Sequence, residues 1–191
     1  MESRLFQVLK AFKGADGCEA NLFEEFKKIA EAAFFSGYFL INGGCKDAYK
    51  LKLTCIEFYY HEDDGNIKDE KKYLKGKDEF GYALGAVCPN PSGVDVLFDD
   101  PQKKYHASFL IRGYKAIEPG KKEWENNEKR KDWAPHDFWY DFFGGANMLS
   151  NGKFSIEWID ESDETQGYAE PMQRIKINDN RLWGFKRVEK L

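Results

Sequence analysis

Glu57 has the surroundings that most invite chemistry. It stands between Ile56 and Phe58, with Tyr59 and Tyr60 beyond, inside an apolar and aromatic run. A carboxylate there has to be paired, hydrogen-bonded or set in a cleft, because leaving it dry costs several kcal/mol. The same setting can tune its pKa toward use as a general base. The plainer alternatives are a structural ion pair or an outward-facing strand residue. Arg112 lies in ASFLIRGYKAI, another strong strand pattern. An arginine on a buried strand can grip a phosphate or carboxylate with two parallel hydrogen bonds, or pair with a structural acid.

Other catalytic patterns are missing. His61, His106 and His136 are scattered, with no H-x-x-x-H or H-x-E spacing, so no metal site is expected. There is no G-x-S-x-G. Phe143-Gly144-Gly145-Ala146 lacks the Lys-Ser/Thr of a phosphate loop. Trp133, Trp139, Trp158 and Trp183 read as core or interface anchors before base-stacking platforms. Cys18, Cys45, Cys55 and Cys88 form no C-x-x-C pair. Free thiols in a reducing, cytoplasmic compartment are expected.

These residues need elements to hold them. The chain has 191 residues, 42% of them hydrophobic, which suits one domain with its own core. Residues 1–20 read as part of it or as an N-terminal helical extension. With 29 basic and 33 acidic residues the net charge is −4, which excludes a broadly basic, histone-like protein. No apolar run is long enough for a membrane span, and the N-terminus does not read as a signal peptide.

Leu5, Val8, Leu9 and Phe12 have helical spacing. A second helix is expected from Asn21 as N-cap, with Glu24 completing a capping box, to Gly37. Strands are expected over 38–41, 49–60, 80–87, 94–98, 106–117, 172–177 and 182–188. The apolar members of 49–60 change face near Cys55, as in a bulge or a strand entering a more buried environment. Residues 61–79 are densely charged and read as a loop. Residues 119–133 read as an exposed helix or loop, and 136–148 as a late aromatic helix. The fold expected is α+β: N-terminal helices, then a curved, mostly antiparallel sheet or open barrel.

The order of segments resembles the alkyladenine (methylpurine, 3-methyladenine) DNA glycosylases through most of the chain. Residues 23–41 look like the family's opening helix and following strand. Glu57-Phe58-Tyr59 stands where the family has E-A-Y. Residues 92–98 are similar to its strand ending in a pocket Asn, with Asp95 at the matching position. ASFLIRGYKAIEPG is similar to its L-L-I-R-A-L-E-P, with Arg112, Glu118 and Pro119 in register. Leu149-Ser150-Asn151-Gly152-Lys153 is similar to L-x-N-G-P-x-K, QRIKIN to P-R-I-G-I, and RLWGF to the closing R-F segment.

The resemblance implies excision of alkylated or deaminated purines from damaged double-stranded DNA. A base inside a duplex is flipped into a pocket before chemistry. Glu57 would activate water, Arg112 would hold that water or the nucleotide backbone, and Tyr59 would stack on the base. Asp95, Asn151 and Lys153 would line the substrate site. No metal or organic cofactor is implied, and a monomer is expected. Glu57 and Tyr59, two apart on a strand, share a face. The family's R-N-x-x-M segment and Y-V-Y-x-I-Y-G pattern have no counterpart here. Such an enzyme needs a cleft at Glu57, flanked by the cations concentrated within residues 100–131. A binding or interaction module that has lost base excision would have a closed pocket or an acidic surface instead. An enzyme for a nucleoside-like small substrate would keep the carboxylate and aromatic pair without the duplex-binding face.

Overall fold

Two long strands organise the molecule. In the computed structural model, β2 (Tyr49–Glu62) and β5 (Tyr105–Ile117) pair antiparallel along their length. The far edge of each is shared by two shorter strands. β2 meets β1 (Gly37–Asn42) at residues 49–51 and β9 (Gly184–Glu189) at residues 55–57. β5 meets β4 (Gly93–Leu97) at residues 108–111 and β6 (Trp124–Asn127) at residues 113–116. Next to these lie β3 (Val87–Asn90) on β4, β7 (Ser155–Asp160) on β1 and β8 (Gly167–Met172) on β9. The nine described strands form one antiparallel sheet that curls into a half-barrel. The structure describes all residues except 1, 16–17, 43–47, 63–64, 66, 70–83, 100–101, 103–104, 118–123, 128–134, 144–154, 162–165, 176 and 191, and leaves out the side chains of 124–127 and 135–137.

The core lies on the side of the sheet that the helices cover. Helix α1 (Arg4–Ala11) starts at Ser3, whose hydroxyl accepts the Phe6 N–H at 3.3 Å. Helix α2 (Glu19–Phe35) lays Leu22, Phe26, Ile29, Ala30 and Ala33 on the sheet, where Phe26 stacks on Phe58 at 4.4 Å. Helix α3 (Pro135–Phe143) presses Phe138 and Phe142 against Tyr114 at 5.1 and 5.5 Å, and Tyr114 donates to Asp141 at 2.5 Å. The α+β class and the curved antiparallel sheet expected from the sequence are present. No helix among the described residues is long and apolar enough to cross a membrane. The Cys18 side chain is exposed, and Cys55 Sγ lies 3.9 Å from Met172 Sδ.

The change of face at Cys55 is a pair of compensating bulges. Leu53 pairs with Tyr114, Cys55 with Gly113 and Ile56 with Ile111. Thr54 is therefore the extra residue on β2 and Arg112 the extra residue on β5. Leu51 and Leu53 before the bulge, and Ile56, Phe58 and Tyr60 after it, all reach the same core.

Several expectations are corrected. α2 begins at Glu19 behind Cys18, which offers no side-chain cap; the Asn21 amide reaches the Ala15 carbonyl at 3.4 Å instead of capping. Residues 124–127 form strand β6 rather than a helix or loop. β7 has no forerunner in the sequence reading. The strand expected over 172–177 lies earlier, as β8, and the described residues among 173–183 run irregularly. The strand expected over 80–87 falls partly outside the described residues, and the one seen there starts at Val87.

Candidate functional site

With Ile56, Phe58 and Tyr60 given to the core, strand alternation turns Glu57, Tyr59 and His61 to the opposite face of the sheet. β5 sends His106, Ser108, Leu110 and Arg112 to that face. Register then sets one row across four strands: Asp95, Leu110, Glu57 and Gly184. The second bulge allows Arg112 to close on Glu57. Had β5 kept its register there, the residue beside Ile111 would have continued the ladder instead of leaning over it.

Glu57 is held from three directions. Arg112 donates Nε–H to Oε2 at 2.8 Å, and the Tyr59 hydroxyl donates to the same oxygen at 3.0 Å. The Ile175 backbone N–H donates to Oε1. Arg112 also donates Nη1–H to the Ser92 carbonyl at 3.3 Å, which fixes the guanidinium against the β3–β4 turn. Burial pushes the Glu57 carboxyl above its usual range, against the opposing pull of Arg112, the Ile175 N–H and Tyr59. Burial, and then the charge of Glu57, push the Tyr59 hydroxyl well above its ordinary value, so it stays a donor. A carboxylate with a raised pKa beside a guanidinium suits proton abstraction from water.

The site is shut. Glu57 is 0% exposed, Asp95 1%, Tyr59 2% and Arg112 4%. Arg174, Ile175 and Ile177 cover it. Ile177 packs on Tyr59 and Leu110. Arg174 reaches across the free edge of β2, beyond the end of β9. It donates to Asp69 Oδ2 at 2.5 Å and Oδ1 at 3.2 Å, to the Phe58 carbonyl at 3.2 Å, and to Asp179. Its guanidinium carbon lies 5.0 Å from the Tyr59 ring centre and 5.1 Å from that of Trp183. Asp69 in turn accepts the Tyr60 N–H at 3.4 Å. An ion pair thus takes over ladder groups that a longer β9 would have satisfied.

Of the residues expected at the site, Glu57, Tyr59 and Arg112 are in direct contact, and Asp95 shares their face and row. Asn151 and Lys153 lie outside the described residues, as do most of the cations of 100–131. Among the described residues Glu57 is enclosed, at 0% exposure, rather than open to the cleft expected for a glycosylase. A cavity of about 980 Å³ opens elsewhere, on the helix side, lined among others by Arg4, Gln7, Lys28, Phe35 and Lys190. The sequence reading missed Arg174, Ile175 and Asp69. Arg174 carries the signal that singled out Arg112, a charge set among strand-forming apolar residues. Asp69 carries none, being one acid among many in a charged stretch. Among the described residues no group of three or more His, Cys, Asp or Glu side chains is placed to hold a metal.

The chain matches no family model, no curated protein and no solved structure.

Proposed function

We propose that this chain is an N-glycosyl hydrolase of the DNA glycosylase type, with Glu57 as the base that activates water. Arg112 orients the carboxylate and offsets developing charge, and Tyr59 supplies the aromatic face for a flipped purine. One observation carries this reading: Glu57, Tyr59 and Arg112 converge on a single buried carboxylate whose pKa is raised by burial. Because that carboxylate is covered, turnover requires the segment carrying Arg174, Ile175 and Ile177 to lift. The flipped base and the attacking water then take the places now held by the Ile177 side chain and the Ile175 N–H.

A second reading has its own observation. Both Glu57 oxygens are already engaged and the residue is fully buried. This is the closed pocket expected of a glycosylase-like module that no longer excises bases, in which the ion pair only ties the cover to the sheet. A base-release assay separates the two. Duplex and single-stranded oligonucleotides carrying hypoxanthine, ethenoadenine or methylated purines are incubated with wild type and Glu57→Gln. Free base from the wild type alone supports the hydrolase. No release from any substrate leaves the closed module.

A further inference from the structure

We propose that Arg174 is the positioning residue of this site, fastening residues 173–179 to the edge of β2 so that the Ile175 N–H is delivered to Glu57. The inference rests on Glu57 being the reactive carboxylate. Arg174 makes four hydrogen bonds to three groups: two to Asp69, one to the Phe58 carbonyl, and one to Asp179 five residues further along the same segment. Its side chain is 0% exposed and lies between the Tyr59 and Trp183 rings. The carbonyl it holds belongs to Phe58, the residue between Glu57 and Tyr59. One guanidinium therefore ties the cover to the backbone that carries both site residues.

The consequence falls on the next residue. Ile175 follows Arg174 directly and gives its N–H to Glu57 Oε1. A hydrogen bond to the charged form of a carboxyl favours that form. Arg174 acts on Glu57 through this backbone group rather than by touching it. Lysine at 174 would keep a charge for Asp69 but lose the planar fork that spans two acids and a carbonyl. A mere edge cap would not have this reach, because covering the β2 edge does not require any particular state of the Glu57 carboxylate.

The test reads Glu57 directly. Carbon-13 NMR of the glutamate side-chain carboxyls in the full chain follows titration, with the Glu57 signal assigned by its loss in Glu57→Gln. Hydrogen exchange follows the Ile175 amide. Arg174→Lys and Asp69→Asn should each raise the Glu57 midpoint and speed Ile175 exchange by about tenfold or more, the scale of one lost hydrogen bond. Arg187→Lys is the control. Arg187 holds the Phe34 carbonyl at 2.6 Å on the helix side, so its loss should leave both readings unmoved. Folded Arg174→Lys and Asp69→Asn proteins with an unchanged Glu57 midpoint and unchanged Ile175 exchange would overturn the proposal. So would an Ile175 amide that exchanges without protection in the wild type, which needs no variant to fold. None of these readings uses base release, so failure of the hydrolase and failure of the positioning role are seen separately.

Discussion

At the scale of single residues, the Glu57–Arg112 pair decides the behaviour of the site. Neither charge is reached by water, so each depends on the other. Removing one partner of a buried pair strands the remaining charge, at a cost of about 3–5 kcal/mol. Arg112→Met should lose stability on that scale near neutral pH, measured as the fall in urea unfolding free energy. The loss should be smaller in acid, where Glu57 is protonated and no longer needs a counter-charge. Arg112 is also the strongest influence holding the Glu57 pKa down against burial, so the variant should carry a still higher pKa. The wild type has its own pH dependence with a definite sign. Glu57 binds its proton more tightly folded than unfolded. Its stabilising contribution is therefore complete below the ordinary carboxylate range and is lost as pH rises through the higher folded value. Urea midpoints measured across that window should fall with pH, and the slope should shrink in Glu57→Gln.

At the scale of elements, the half-barrel depends on places where two strands come close without a side chain between them. Gly37 opens β1 opposite Asp160 of β7. A Cβ on it would run into the Ile159 carbonyl oxygen, which is backbone and cannot swing away. Gly184 opens β9, where a Cβ would meet Met172 Cγ at 2.9 Å and the Met172 carbonyl at 3.0 Å. The methionine end is flexible. Gly37→Ala should therefore cost more than Gly184→Ala, with the larger of the two in or above the range of about 1–3 kcal/mol typical of overpacking. Thermal unfolding of the two variants orders them; the reverse order would mean that β7 adapts more easily than β8. The elements that were legible in the sequence are those whose side chains face one environment along their length. α2 shows its apolar stripe, and the face change at Cys55 marks the Thr54 bulge on β2, whereas the second bulge, which places Arg112, lies on β5. The cover was not legible, because Arg174, Ile175 and Ile177 alternate as a strand does while their polar partners come from Glu57 and Asp69, far away in sequence. β6 was hidden by charge, since WENN reads as surface whether or not its backbone joins β5.

At the scale of the whole molecule, the sheet separates two tasks. Its helix side buries an aromatic core in which Phe58 touches Phe26, Phe98, Phe109 and Phe185. Its other side holds Glu57, Tyr59, Arg112 and Asp95 under the cover. Alternate residues of one strand serve the two sides, so Phe58 packs in the core while Glu57 and Tyr59 next to it lie on the opposite face. That Glu57 and Tyr59 sit together was legible from spacing, since two residues two apart on a strand share a face. A closed pocket was one of the expected outcomes, but the residues that close it were not legible, because they depend on where the chain returns after β8. The net charge of −4 adds a whole-molecule constraint. Any hold on duplex phosphates has to be local and will weaken steeply with salt.

The most direct test of Glu57 as a water-activating base is single-turnover base release followed against pH, wild type beside Glu57→Gln. The substrates are the duplex and single-stranded oligonucleotides carrying hypoxanthine, ethenoadenine or methylated purines. Release is expected from the wild type, with a rate that climbs as pH passes the raised Glu57 pKa, and none from the variant. Equal release by both proteins would contradict the role given to Glu57. No release by the wild type from any substrate at any pH would contradict the hydrolase itself.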